Sequence, residues 1–104
     1  MDAAKQAKLE ASGWRVGSAE QFLGLAPQEA ELVEVRLRLA HAVREERERQ
    51  HVTQANLAKR LGSSQSRVAK IEAGDPSVSL DLMVRALLTL GASRQELAEW
   101  LSAA

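Results

Sequence analysis

The sequence predicts an all-α fold, a compact bundle of about five helices, and three observations carry that prediction. Strand signals are weak: there are two Trp, one Phe and no Tyr in 104 residues, the β-branched residues are scattered, and no hairpin turn joins alternating segments. Serine or threonine stands just ahead of one apolar-periodic segment after another, at Thr53, Ser64, Ser79 and Ser93, as helix N-caps do. Glycine closes three of those segments, at Gly62, Gly74 and Gly91, where a left-handed position ends a helix.

Taken in order, residues 1–17 read as loosely structured, with Gly13 and Gly17 bracketing Trp14. Ser18 and Gln21 then have capping-box spacing for a short helix, SAEQFLGL. Together they make an N-terminal extension over 1–30, ahead of a helical domain over 31–104. Pro27 suits the start of a helix, and QEAELVEVRLRLAHAVREERER follows, with Val33, Leu37 and Ala40, and Val43 close by, facing a core and an end near Gln50 and His51. Thr53 caps QANLAKRL, which sets Leu57, Ala58 and Leu61 on one face and stops at Gly62. Ser64 caps QSRVAKIEA, stopped by Gly74, Asp75 and Pro76. Ser79 caps LDLMVRALLTL, with Asp81 in its first turn favouring the helix dipole. Ser93 and Glu96 repeat the capping-box spacing before QELAEWLSA.

With no cysteine, disulfides, thiolate catalysis and Cys-ligated zinc are excluded, and a reducing cytoplasm is the expected compartment. The opening MDAAKQAKLEASGW carries charges throughout and has no apolar h-region, unlike a secretory signal. Arg85 interrupts the best apolar run, so no membrane span is expected. The net charge is zero, but it is unevenly spread. Residues 36–74 carry nine basic and four acidic side chains, and the rest of the chain five and ten. A basic middle between acidic ends suits a surface that meets phosphate, although a solvated helix face would read the same way.

Small or apolar residues stand at fixed offsets from Gln54: Ala58, Gly62, Val68 and Ile71. Ala58 lets one helix approach the next, Gly62 permits the sharp turn, and Val68 with Ile71 seats the following helix on the core. A plain helical hairpin explains each alone; the joint pattern, with its capping hydroxyls, is that of a helix-turn-helix. TQANLAKRLGSSQSRVAKIEAG, continued by SLDLMVRALLTLG, resembles the Cro/cI-type (XRE) helix-turn-helix family. The resemblance covers residues 36–90 and falls off before residue 30. It implies a lambda-repressor-like DNA-binding domain that presents its third helix to the DNA major groove. The chain's size, the lead-in WRVGSAEQFLGL and the lack of a large C-terminal sensor domain are similar to HigA-type antitoxins of toxin–antitoxin pairs.

If Val68 and Ile71 point inward, at about 100° per residue the opposite side centres on Ser66 and Ala73, with Ala69 and Lys70 beside it and Gln65 at the exposed N-terminal edge. Gln65 suits bidentate pairing to adenine, Ser66 can bond several base edges, and Arg67 and Lys70 can reach guanine or the backbone. Arg67 lies close to the core side, where it could pair with an acid instead. Ala69 is small enough for close approach. The resemblance further implies that Gln54 binds a phosphate and braces Gln65, while Thr53 and Ser64 set helix N-termini near phosphates. Lys59 is a further phosphate candidate, although Lys59 and Arg60 also read as solvated. Glu72 would be repelled by DNA, and the resemblance pairs it with an arginine of the first helix, Arg44 or Arg47.

His41 and His51 have no carboxylate at metal-site spacing, and neither a phosphate-cradling glycine loop nor a nucleophile elbow is present. No metal, cofactor or enzymatic activity is expected. Leu97, Trp100 and Leu101 form an amphipathic face on the last helix. Packing is the bland account of it; the sharper one is a homodimer interface, since a palindromic operator presents two half-sites about one DNA turn apart. Trp14 and Phe22 lie in an acidic region, three basic and six acidic residues over 1–35. Phe22 can simply cover the bundle, or both can meet a basic toxin. The expected function is therefore a sequence-specific repressor, the antitoxin of a pair that represses its own operon. The neutral total charge also admits a protein-interaction module that keeps the fold without binding DNA, and a stand-alone phage-type regulator fits the same motif.

Overall fold

The computed structural model describes Gly24 and residues 26–102, and those residues form five α-helices and no strand. They are α1 (Pro27–Arg49), α2 (Gln54–Leu61), α3 (Gln65–Glu72), α4 (Leu80–Thr89) and α5 (Arg94–Ser102). Apart from Gly24, the segment SAEQFLGL, where a short helix is expected, lies outside the described residues, as do Trp14 and Phe22. The chain divides into two units within α1, after Val35; the second unit holds the rest of α1 and α2 to α5.

Among the described residues, each expected hydroxyl cap is made. Thr53 Oγ1 accepts the Asn56 N–H at 3.0 Å, Ser64 Oγ that of Arg67 at 3.1 Å and Ser79 Oγ that of Leu82 at 3.1 Å. Before α5 the bonding is reciprocal: the Ser93 N–H donates to Glu96 Oε1 at 3.0 Å, and the Glu96 N–H donates to Ser93 Oγ at 3.1 Å. These side chains satisfy N–H groups that a helix start leaves without partners, worth about 1 kcal/mol each.

Four helix ends share one geometry, in which an N–H reaches back five residues and its predecessor reaches back three. Val52 and His51 close α1 on the carbonyls of Arg47 and Glu48, and Ser63 and Gly62 close α2 on those of Ala58 and Lys59. Asp75 with Gly74, and Ala92 with Gly91, do the same for α3 and α4. The motif needs a left-handed residue, which is glycine in three cases; His51, at φ 57°, is the sole non-glycine with positive φ among the described residues.

In the second unit α2 packs on α3 and on α4. Leu39, Val43, Leu57, Val68, Ile71, Val78, Met83 and Leu87 are fully buried. Val68 and Ile71 are inward, as predicted. On α1, Ala40 and Val43 are buried, as expected, with Leu39 and Ala42 beside them, whereas Leu37, also expected inward, is 51% exposed. Arg36 and Arg47 share the stripe of Ala40 and Val43 at helical spacing, and both turn their guanidinium groups onto partners elsewhere in the unit. The Gln50 amide donates to the Leu90 carbonyl at 2.7 Å, tying the end of α1 to the end of α4.

Candidate nucleic-acid interface

The candidate interface is the outward side of α3. Gln65, Ser66, Arg67, Ala69 and Lys70 are exposed, while Val68 and Ile71 between them are completely buried. Eight residues give about two turns, so two apolar anchors dock one side and leave the rest to solvent. Ser64 Oγ, besides capping the helix, stands 3.3 Å from Ser66 Oγ. Arg67 is exposed, and the acid of its own helix, Glu72, pairs with Arg47 instead. Ser64, Ser66, Arg67, Lys70 and Ser77 line a recess of about 280 Å³. Two cations and three hydroxyls face that recess and no carboxylate does, which is a lining suited to an oxyanion.

Glu72, the one acid of α3, is withdrawn from this surface. Its side chain is 6% exposed and that of Arg47 13%. Arg47 Nε donates to Glu72 Oε2 at 2.6 Å and Nη2 to Oε1 at 3.0 Å, and Nη1 donates to the Val52 carbonyl at 2.9 Å. The hydrogen bond to Glu72 raises the Arg47 pKa above the ordinary guanidinium value, against partial burial, which acts the other way. Of the two arginines proposed for Glu72, Arg47 is the partner; Arg44 pairs with Glu48 at 3.0 Å, one turn along α1.

Gln54 departs from expectation. Its Nε2 donates to Glu72 Oε1 at 3.2 Å, so the brace runs to the Arg47–Glu72 pair and not to Gln65. The reason is electrostatic: a carboxylate held by two arginine nitrogens still has lone pairs to fill, and Gln54 supplies a further donor. The amide keeps a second N–H for another acceptor. Thr53, Ser64 and Lys59 are exposed. Arg60 donates to Asn56 Oδ1 at 3.0 Å, one turn back on α2.

Away from this face, Leu97 and Trp100 are half-buried and Leu101 is exposed. Leu88 on α4 is also exposed. Trp14 and Phe22 are outside the described residues. His41 pairs with Glu45 at 3.0 Å on the exposed side of α1. Among the described residues, no cluster of three or more His, Asp or Glu side chains could hold a metal ion, and no helix is long and apolar enough to cross a membrane.

Two residues of this region escaped sequence reasoning. Ser77 joins the recess from the connection between α3 and α4, and Arg36 reaches that connection from α1. The run Asp75, Pro76, Ser77 is a turn signal that could have flagged the first. Nothing local marks the second. A family model described as a helix-turn-helix domain matches residues 38–100. No curated protein and no solved structure matches the chain.

Proposed function

The chain belongs to the helix-turn-helix domain family, and from that premise we propose that it is a dimeric, sequence-specific DNA-binding repressor. The observation that carries this is the composition of the α3 surface: Gln65, Ser66, Arg67 and Lys70 are exposed together, and the only acid of the helix is buried against Arg47. Gln65 and Ser66 offer paired donors and acceptors to base edges, and Arg67 and Lys70 reach guanine or the backbone. The resemblance assigns phosphate contacts to Thr53, Gln54 and Ser64, with Lys59 a further candidate. Gln54 makes its contact with the N–H that Glu72 leaves open.

The finer assignment is an antitoxin that represses its own operon from the cytoplasm. Its support is the resemblance of the motif and lead-in to HigA-type antitoxins and the acidic composition of residues 1–35, which complements a basic toxin. Trp14 and Phe22 belong to the toxin-facing region, and Leu97, Trp100 and Leu101 to the homodimer interface.

Fluorescence anisotropy with the duplex upstream of the chain's own gene, at moderate salt, tests the DNA-binding role. Saturable binding that resists random-sequence competitor is expected. Absence of binding, or binding fully displaced by competitor, rejects sequence-specific repression and favours a protein-interaction module on the same fold. A small basic protein encoded next to this gene that co-purifies with the chain supports the antitoxin assignment; without one, a stand-alone regulator is left.

A further inference from the structure

The connection between α3 and α4 is tied more firmly than a surface turn requires. The Val78 N–H donates to the Asp75 carbonyl at 3.0 Å, closing a four-residue turn with Pro76 in second place. The Ser77 N–H donates to Asp75 Oδ1 at 2.8 Å. Arg36 adds a third tie from α1. Its Nη1 donates to the Val78 carbonyl and lies 3.5 Å from the Asp75 carbonyl and 4.0 Å from Met83 Sδ. One guanidinium nitrogen thus engages both ends of the turn. Val78 is fully buried, and Ser77 is exposed and lines the recess with Arg67 and Lys70.

The turn also carries a charge that DNA would meet. Asp75 is held below the usual carboxylate range, first by the backbone hydrogen bond from Ser77, then by the Ser77 side chain, and further by the positive charges of Lys70 and Arg36. It is therefore anionic at neutral pH. A carboxylate beside a seat for phosphate is unfavourable unless cations offset it.

We propose that Arg36 is a positioning residue for the DNA-binding face: it holds the Asp75–Val78 turn so that Ser77 completes the recess as a seat for one backbone phosphate, and it offsets Asp75 there. This rests on the DNA-binding function proposed above. A neutral residue at position 36 releases both carbonyls of the turn and leaves Lys70 to offset Asp75 alone. Arg36 itself does not touch DNA; it acts through Ser77 and through the charge of Asp75.

The test is a double-mutant cycle on the full chain, read by anisotropy with a short random-sequence duplex over a range of salt concentrations, with circular dichroism confirming that each variant is folded. Arg36→Gln should weaken binding about tenfold, comparable to the loss of a backbone contact, and Ser77→Ala about threefold, as for one neutral hydrogen bond. The double variant should bind no more weakly than Arg36→Gln alone, and Arg36→Lys should keep most of the affinity. A helix-stabilising role without a part in binding would lower the melting temperature and leave the affinity unchanged. That result overturns the proposal, as do losses that multiply in the double variant. If Arg36→Gln does not fold, Arg36→Met, which keeps the unbranched stem without the charge, takes its place in the same cycle. Failure of the unaltered protein to bind any duplex overturns the DNA-binding function together with this role, whereas binding that is indifferent to Arg36 overturns this role only.

Discussion

Arg47 grips Glu72 across 25 residues of sequence with two parallel hydrogen bonds, Nε to Oε2 at 2.6 Å and Nη2 to Oε1 at 3.0 Å. The pair joins α1 to the end of α3, and Gln54 at the start of α2 completes it. Three helices therefore meet at one carboxylate, on the inner side of the surface that faces outward with Gln65 and Ser66.

Removing one partner leaves the other charged, shielded from solvent and short of ligands. Glu72→Ala should cost about 3 kcal/mol of folding stability, measured as the shift in a urea unfolding midpoint. The double variant Arg47→Met with Glu72→Leu should recover most of that loss. A single-variant loss below about 1 kcal/mol would show that the pair behaves like an exposed surface bridge.

Base contacts and phosphate contacts separate by their dependence on sequence and salt. Gln65→Ala should weaken operator binding by about 1–3 kcal/mol and relax preference at one base position. Equal losses on operator and random DNA reject that role. Lys59→Ala should weaken both duplexes alike and lower the salt slope by about one; an unchanged slope removes Lys59 from the contact set.

The helix ends offer a paired test of backbone conformation. Gly62 has φ 66°, and an added Cβ there would meet no atom within 4 Å. Gly62→Ala should thus cost about 1–2 kcal/mol from conformation alone. His51 occupies the same left-handed position at the end of α1, so His51→Gly should stabilise by about 0.5–1 kcal/mol. Thermal unfolding of both variants checks the signs, and destabilisation by His51→Gly would mean that the imidazole makes contacts worth more than the strain.

Much of the helix-turn-helix was legible because its determinants are local. The caps at Thr53, Ser64, Ser79 and Ser93 bond three residues ahead, and the closures at Gly62, Gly74 and Gly91 reach three and five residues back. The outward set Gln65, Ser66 and Lys70 followed from helical period once Val68 and Ile71 were taken as inward. Ser77 was not legible in the same way, since its place beside Lys70 depends on where the turn folds.

Asp75 supplies a pH test. Its folded pKa is depressed, so its stabilising contribution is fully present above the ordinary aspartate value of about 4 and is lost as pH falls through the lower folded value. A carboxyl-carbon NMR titration should place the Asp75 midpoint below that of an aspartate in a model peptide. Ser77→Ala should move the midpoint upward by removing the second of its causes. A midpoint at or above the ordinary value contradicts the turn described for Asp75 and Ser77.

The proposed dimer face combines the half-buried Leu97 and Trp100 with the exposed Leu101. Leu101→Asp should yield monomers by sedimentation at concentrations where the unaltered protein is dimeric, and weaken operator binding because two half-sites are no longer engaged together. Unchanged sedimentation of dimers would place the interface elsewhere.

The sequence by itself determined the helices from residue 27 onward, their caps, and the order of docking and outward residues on α3, because each depends on groups within one or two turns of one another. Tertiary structure alone decided that Arg36 and Arg47 turn inward on α1, which arginine takes Glu72, and which acceptor takes Gln54. The physical reason lies in Arg36 and Arg47. Hydrophobic periodicity reads arginine as an outward residue, yet both lie on the inward stripe of α1, where acceptors 25 to 42 residues away satisfy their guanidinium groups. Such partners exist only once the chain has folded.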